Sequence, residues 1–218
     1  KIFTKQFRFK DHREDSHLLI IVVLLTLLFY FFIIPDEGIF SILLAVISSI
    51  STSGISIYSS NFDVSLFFIL MTIIGGSLIS TSSGFKYIRF YILLKISYQE
   101  IYRLVKPINI FNRNLFNSDY QFDDRDTKIA FLVFISFIFA IFILSSILTL
   151  DTLSFENSFK LSILTLTNTV TSSIYGMDNL MFFDMNSFTK ISLMIFMIFG
   201  KIEIIALLFL IKKFIFRE

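Results

Sequence analysis

Four long apolar runs constrain this chain more than any other feature of its sequence. Three of them, residues 16–35, 64–85 and 129–150, carry no charged side chain, and the fourth occupies residues 187–211. Each is close to the roughly 20 residues that a helix needs to cross a bilayer. Charged residues make up only 17% of the chain, against roughly 25% in soluble domains. We therefore expect an all-α integral membrane protein. The first run lacks a small-residue cleavage site, so we do not interpret it as a signal peptide.

Two shorter apolar stretches differ from the four long runs. Residues 39–50 and 159–169 have a helical pattern, but about 12 residues at roughly 1.5 Å each cannot cross a membrane. Each leads into a tract rich in serine and threonine, at residues 51–56 and 169–176. Non-helical backbone at membrane depth is tolerated only where it is buried in protein or lines water. We predict two re-entrant pore helices; two amphipathic helices lying on the membrane surface are the alternative.

The order of span, short helix, polar tract and span occurs twice. Phe40 and Phe159 open the two predicted short helices, which gives a period near 119 residues, and periods this long indicate duplicated structural units. Basic residues are concentrated in three segments, 1–17, 85–128 and the last seven residues. The positive-inside rule places all three in the cytoplasm, so both units have the same orientation.

These patterns divide the chain into five parts. We predict two parallel membrane–pore-helix–membrane repeats of a four-repeat, cation-channel-like fold, because two copies do not easily close a ring around one ion. The predicted parts are a cytoplasmic segment 1–17, a first unit 18–95, a cytoplasmic linker 96–127, a second unit 128–213 and a cytoplasmic tail 214–218.

Small residues interrupt the second span at residues 75–84, which we call the broken segment. Glycine permits conformations that a helix does not use, and the serine and threonine content favours a real break over helix packing by small residues. The segment's candidate residues are Gly75, Gly76, Ser77, Ser80, Thr81, Ser82, Ser83 and Gly84.

Lys201 is a positive charge deep in the fourth run. It lies 11 residues before Lys212, a distance of roughly 16 Å along a helix, which a lysine side chain cannot span to reach the interface. We expect Lys201 to face a cavity or another element. An interhelical packing pair with Glu203 is the alternative.

Several chemistries are excluded by composition. The chain has no cysteine, and its two histidines, His12 and His17, lie in the polar N-terminal stretch. The spans therefore do not supply the cysteine or histidine side chains from which such metal sites and acid–base centres are built. We expect no enzyme activity, no resident cofactor and no nucleic-acid partner.

Three motifs of this sequence resemble the Trk/Ktr/HKT superfamily of potassium transporters, specifically its bacterial TrkH-type membrane subunits. They are Ser51-Thr52-Ser53-Gly54, Ile74-Gly75-Gly76-Ser77 with Ser80-Thr81-Ser82-Ser83-Gly84-Phe85-Lys86-Tyr87-Ile88-Arg89, and Phe199-Gly200-Lys201-Ile202-Glu203-Ile204. The resemblance implies four membrane–pore–membrane units around one potassium pathway. This chain is similar to the third and fourth and starts at Lys1, so we expect a fragment that lacks the first two.

The resemblance also implies partners and a location. It predicts a multi-pass protein of the bacterial inner (plasma) membrane, surrounded by lipid and assembled as a homodimer. A cytosolic, nucleotide-binding regulatory ring of the TrkA/KtrA type would control it. The cytoplasmic linker is either the surface that contacts this ring or a solvated connector that binds anionic lipid.

The same resemblance assigns roles to the tracts. Backbone carbonyls of a potassium filter would come from Thr52, Ser53 and Gly54, and from Val170, Thr171, Ser172 and Ser173. The broken segment would be an intramembrane gating loop, with Lys201 beside it where the family has arginine. The second glycine of the family pattern falls near Thr171 by family spacing, or at Ser173 by the internal repeat, and neither is glycine. A sodium-permeable pore and a non-conducting, degenerate scaffold therefore remain alternatives.

Overall fold

The computed structural model describes residues 13–33, 38–55, 64–77, 80–105, 114–117, 122–151, 153–177 and 185–201. Predictions about residues 1–12, Ser56, residues 78–79, Glu203 and the remainder of the chain after Lys201 lie outside the described residues, as does part of the linker.

The described chain is mostly helical. Its helices are α1 (Arg13–Leu28, extended by a π-helical turn at Phe29–Ile33), α2 (Ile39–Ile50), α3 (Ser65–Ile73), α4 (Tyr87–Val105), α5 (Asp124–Thr149), α6 (Phe155–Leu166) and α7 (Ser187–Lys201). Two-residue strands, β1 (Ile74–Gly75) and β2 (Phe85–Lys86), lie between α3 and α4. Short 3-10 turns occur at Leu115–Asn117 and Ser173–Tyr175.

Two helices in the described ranges are long and apolar enough to cross a membrane, judged by length and composition. They are α1 with its π-helical extension, at 21 residues, and α5, at 26 residues. Both expose large apolar side chains, such as Leu24 at 60% and Phe139 at 64%. Water would penalise an exposed apolar surface of this extent.

The second predicted span is not one helix. Nine residues of α3 end at Ile73, and no described residue is helical again before Tyr87. The next helix, α4, continues to Val105, ten residues past our predicted unit boundary at residue 95. The first helix breaker after that boundary is Pro107, and a proline disfavours helical backbone at the residue before it.

The second short helix begins earlier than its apolar pattern indicated. It covers Phe155–Leu166 rather than residues 159–169, because the Ser154 hydroxyl accepts a hydrogen bond from the Asn157 backbone N–H at 3.4 Å and caps the first turn. The two short helices therefore begin 116 residues apart, at Ile39 and Phe155. The period near 119 was wrong because the polar first turn of α6 does not register as apolar pattern.

The main core surrounds α6. Ser158 and every residue from Lys160 to Thr167 are buried, and the helix packs against α3, α5 and α7. A surface-lying amphipathic helix would leave one face open, so this burial excludes that alternative for α6. A second core of aromatic residues joins the 3-10 turn at Leu115–Asn117 to α4, with Phe116 stacked 4.3 Å from Tyr91 and 5.8 Å from Tyr87 between ring centroids.

Candidate ion pathway

The two short helices end in the same backbone motif. Three consecutive N–H groups after each helix donate to carbonyls of its last turns, at 2.8–3.2 Å after α2 and 2.9–3.1 Å after α6. The left-handed residue of the motif is Thr52 (φ 57°) in the first copy and Asn168 (φ 52°) in the second. This is a Schellman motif, which usually has glycine at the left-handed position. In both copies the chain leaves the helix abruptly and continues as the polar tract.

Matching the two motifs places Gly54 and Val170 at equivalent positions, 116 residues apart. The same two residues meet in space. Gly54 has φ +74°, and a Cβ atom on it would lie 2.4 Å from the Val170 carbonyl oxygen and 2.7 Å from its backbone nitrogen. Only glycine permits this approach of one backbone to another. The structure thus brings the first and second tracts into direct contact, with Val170 rather than Thr171 or Ser173 opposite the glycine.

Hydroxyl groups of each tract form hydrogen bonds with hydroxyl groups at the end of the preceding short helix. The Ser53 hydroxyl lies 3.0 Å from that of Ser48, and the Thr169 hydroxyl lies 2.8 Å from that of Thr167. Among the described residues, the buried hydroxyl of Ser172 has no hydrogen-bond partner. Buried polar atoms without a partner are uncommon and call for an explanation.

Tyr175 links the second tract to the first short helix. Its hydroxyl lies 3.2 Å from the Ser49 hydroxyl, and both residues are fully buried. Our sequence reasoning gave Tyr175 no role, although it is the single aromatic residue of the second tract.

The two ends of the broken segment lie side by side. Strands β1 and β2 pair in parallel, with Ile74 opposite Phe85 and Gly75 opposite Lys86, so the segment leaves and returns at the same place. The buried Lys86 ammonium donates to the carbonyls of Ser80 at 2.6 Å and Ser82 at 2.8 Å. Sequence reasoning missed this role of Lys86, which the pattern shows only as the first charge after the apolar run.

Two further contacts join the broken segment to α6 and α7. The Asn168 side-chain amide donates to the Ser83 hydroxyl at 3.3 Å and to the Met197 carbonyl at 2.9 Å. The Lys201 ammonium donates to the Thr81 carbonyl at 3.0 Å. Lys201 is itself exposed and touches the segment that the sequence analysis placed beside it.

A second buried lysine lies in α6. Lys160 is 5% exposed and forms an ion pair with Glu156 at 2.7 Å, one helical turn earlier. A Cβ atom on Gly176 would lie 3.4 Å from the Lys160 nitrogen, so this cation lies behind the end of the second tract. Its spacing of four residues from Glu156 was the available sequence signal, and our reasoning did not use it.

No protein-family model and no curated protein matches this sequence. Among solved structures, the chain is similar to the potassium transporter TrkH from Vibrio parahaemolyticus, with a TM-score of 0.76 and 22% sequence identity. The match covers 91% of this chain and 44% of that chain, so our chain spans less than half of the transporter that it resembles. This similarity confirms the coarser part of the expected fold: the chain has a mostly helical, TrkH-like fold. The predicted arrangement of two parallel repeats stays a prediction.

Proposed function

We propose that this chain is part of a potassium uptake system and supplies two of the four units that surround one ion pathway. The observation that carries the proposal is the backbone contact between Gly54 and Val170, at the ends of two matched short helices. The C-terminal end of a helix carries a partial negative charge that favours a cation. Backbone carbonyls beyond it can replace the hydration shell of potassium.

The filter in this proposal comprises Thr52, Ser53 and Gly54 from the first tract and residues 170–173 from the second. Val170 in place of a second glycine restricts the backbone angles open to the second tract. The proposal therefore includes sodium permeation as its second candidate.

The broken segment is the proposed gate. Its hydrogen bond with Asn168 holds it against the end of α6, directly before the second tract. Lys201 binds it to α7, and Lys86 binds two of the segment's own carbonyls. Opening would require the broken segment to exchange those hydrogen bonds for others. Loops that change between two such positions commonly gate access to a functional site.

The proposed setting is a bacterial plasma membrane. The 44% coverage of the transporter from Vibrio parahaemolyticus supports two further units outside this chain. We propose a homodimer controlled by a cytosolic nucleotide-binding ring, with the cytoplasmic linker as its contact surface and anionic lipid as the other candidate there.

Complementation tests the proposal. The complete reading frame that contains this chain should restore growth at low potassium to a strain deficient in potassium uptake. Gly54→Ala should abolish this growth, because its Cβ meets backbone, whereas Gly38→Ala, whose Cβ has an ordinary contact of 3.7 Å with Ser41, should not. Equal sodium and potassium flux would favour the sodium-permeable candidate. Inserted protein without flux would favour the scaffold and refute the proposal.

A further inference from the structure

Asn168 occupies the point where α6, α7, the broken segment and the second tract meet. We infer that Asn168 is a positioning residue that couples the broken segment to the second tract, so that a movement of one changes the conformation of the other. This inference rests on the proposed function, because it assigns a physical connection between the proposed gate and the proposed filter.

The backbone at this position does not itself require asparagine. Thr52 makes the same left-handed turn after α2, with φ 57° against 52° at Asn168. Asparagine tolerates this conformation better than most residues do. The Asn168 side chain, however, forms hydrogen bonds that the turn itself does not require.

The Asn168 amide joins the broken segment to α7. Its Nδ2 donates to the Met197 carbonyl of α7 at 2.9 Å and to the Ser83 hydroxyl at 3.3 Å. A carbonyl can only accept, so this contact fixes which atom of the amide is the nitrogen. Hydrogen bonds weaken steeply with distance, and a displacement of Ser83 by more than an ångström would break its bond to Asn168.

The end of the broken segment is packed tightly enough to transmit such a displacement. Ser83 is buried, and the adjacent Gly84 has φ +88°, where an added Cβ would lie 3.0 Å from the Thr72 carbonyl and 3.4 Å from the Thr167 methyl group. Thr167 and Asn168 directly precede the second tract. Only Thr169 separates Asn168 from Val170, whose backbone touches Gly54.

Thiol accessibility tests this coupling without measuring ion flux. These 218 residues contain no cysteine. With any cysteine elsewhere in the complete reading frame replaced by serine, Val170→Cys provides a single thiol, at a position that is 63% exposed in this chain by itself. Ser83→Ala removes the hydroxyl from the broken segment. We expect it to raise the rate at which a methanethiosulfonate reagent modifies the thiol by about fivefold, as the loss of one hydrogen bond predicts.

Asn168→Gly then decides whether the effect passes through Asn168. Glycine keeps the left-handed backbone but removes both side-chain hydrogen bonds. In the Asn168→Gly background, Ser83→Ala should have no further effect on the modification rate, because coupled residues are not additive. Thr52→Gly is the matched control, and in its background the fivefold effect should persist.

Two results would overturn the inference: an unchanged rate in Ser83→Ala, or an equal increase with and without the Asn168 side chain. A wild-type protein that carries no potassium flux would refute the proposed function instead, while the thiol rates would still decide whether the two segments are coupled.

Discussion

Gly200→Ala is the sharpest test of how α7 packs on the second short helix. A Cβ atom on Gly200 would lie 1.9 Å from the carbonyl oxygen of Leu166, the last residue of α6, and 2.7 Å from its carbonyl carbon. Both are backbone atoms, so no side-chain rotation can relieve the clash. Reaching an ordinary contact of 3.4 Å requires the two helices to separate by about 1.5 Å.

The expected change in the free energy of unfolding of Gly200→Ala results from two opposing effects. Overpacking of this kind costs typically about 1–3 kcal/mol, and a clash with backbone belongs at the upper end of that range. Alanine gains about 1 kcal/mol over glycine within a helix. The free energy of unfolding should therefore fall by about 2 kcal/mol, which lowers Tm by about 4–8 °C for a chain of this size.

Thermal unfolding of the purified protein in detergent measures this change, followed by the loss of the folded peak in size-exclusion chromatography. Gly38→Ala is the control, because among the described residues its Cβ would meet the Ser41 hydroxyl alone, at 3.7 Å. We expect its Tm to lie within about 2 °C of wild type. A Gly200→Ala protein that unfolds at or above the wild-type temperature would refute the close packing of α7 on α6.

Three further predictions concern the tract, the broken segment and α7. Val170→Gly should change the ratio of potassium to sodium permeability more than Thr171→Gly, because Val170 is the residue opposite the first tract's glycine. Lys86→Met should raise basal ion flux several-fold, since it removes two hydrogen bonds of 2.6 and 2.8 Å from the broken segment. Hydrogen bonds from the Thr189 side chain and the Asn186 backbone hold the pKa of Asp151 below its ordinary value of 3.8. This lowered pKa means that Asp151 stabilises the start of α7 above pH 4 and loses that effect as the pH falls through its folded pKa. Asp151→Asn should therefore lower Tm at pH 6 and have less effect at pH 3.

Each prediction has a contrary outcome. A permeability ratio that responds to Thr171→Gly alone would move the filter register by one residue. Normal, still-regulated flux in Lys86→Met would remove the broken segment from the gating mechanism. An Asp151→Asn protein whose Tm difference from wild type grows on acidification would contradict the direction of the pKa shift.

The sequence predicted the segments well where a prediction depended on local chemistry. The first and third apolar runs correspond to α1 and α5, and the small residues of the second run coincide with the interruption between α3 and α4. The bounds of α6 were wrong, because its first turn, Phe155 to Ser158, is mostly polar and was assigned to the preceding loop. A cap such as Ser154 starts a helix independently of apolar pattern.

Roles that depend on long-range contacts were predicted less completely. The role of Lys201 drew a prediction, because placing a lone charge in an apolar, membrane-spanning run has a high free-energy cost. Lys86, Asn168 and Tyr175 did not, because each is unremarkable in its own stretch of sequence. Asn168 and Tyr175 have their partners 29 and 126 positions away, in α7 and α2. The partners of Lys86 are only six and four positions away, but its hydrogen bonds depend on how the broken segment folds.

The sequence by itself determined where the chain is apolar, where it is too short to cross a bilayer and where glycine and serine interrupt it. Those properties follow from the transfer of each segment out of water and from its own backbone preferences. Only the tertiary structure decided that Gly54 faces Val170 and that the broken segment is tied to the end of α6. The residues that make these two contacts lie 116 and 85 positions apart. Such pairing depends on how complete helices pack, which no local pattern encodes.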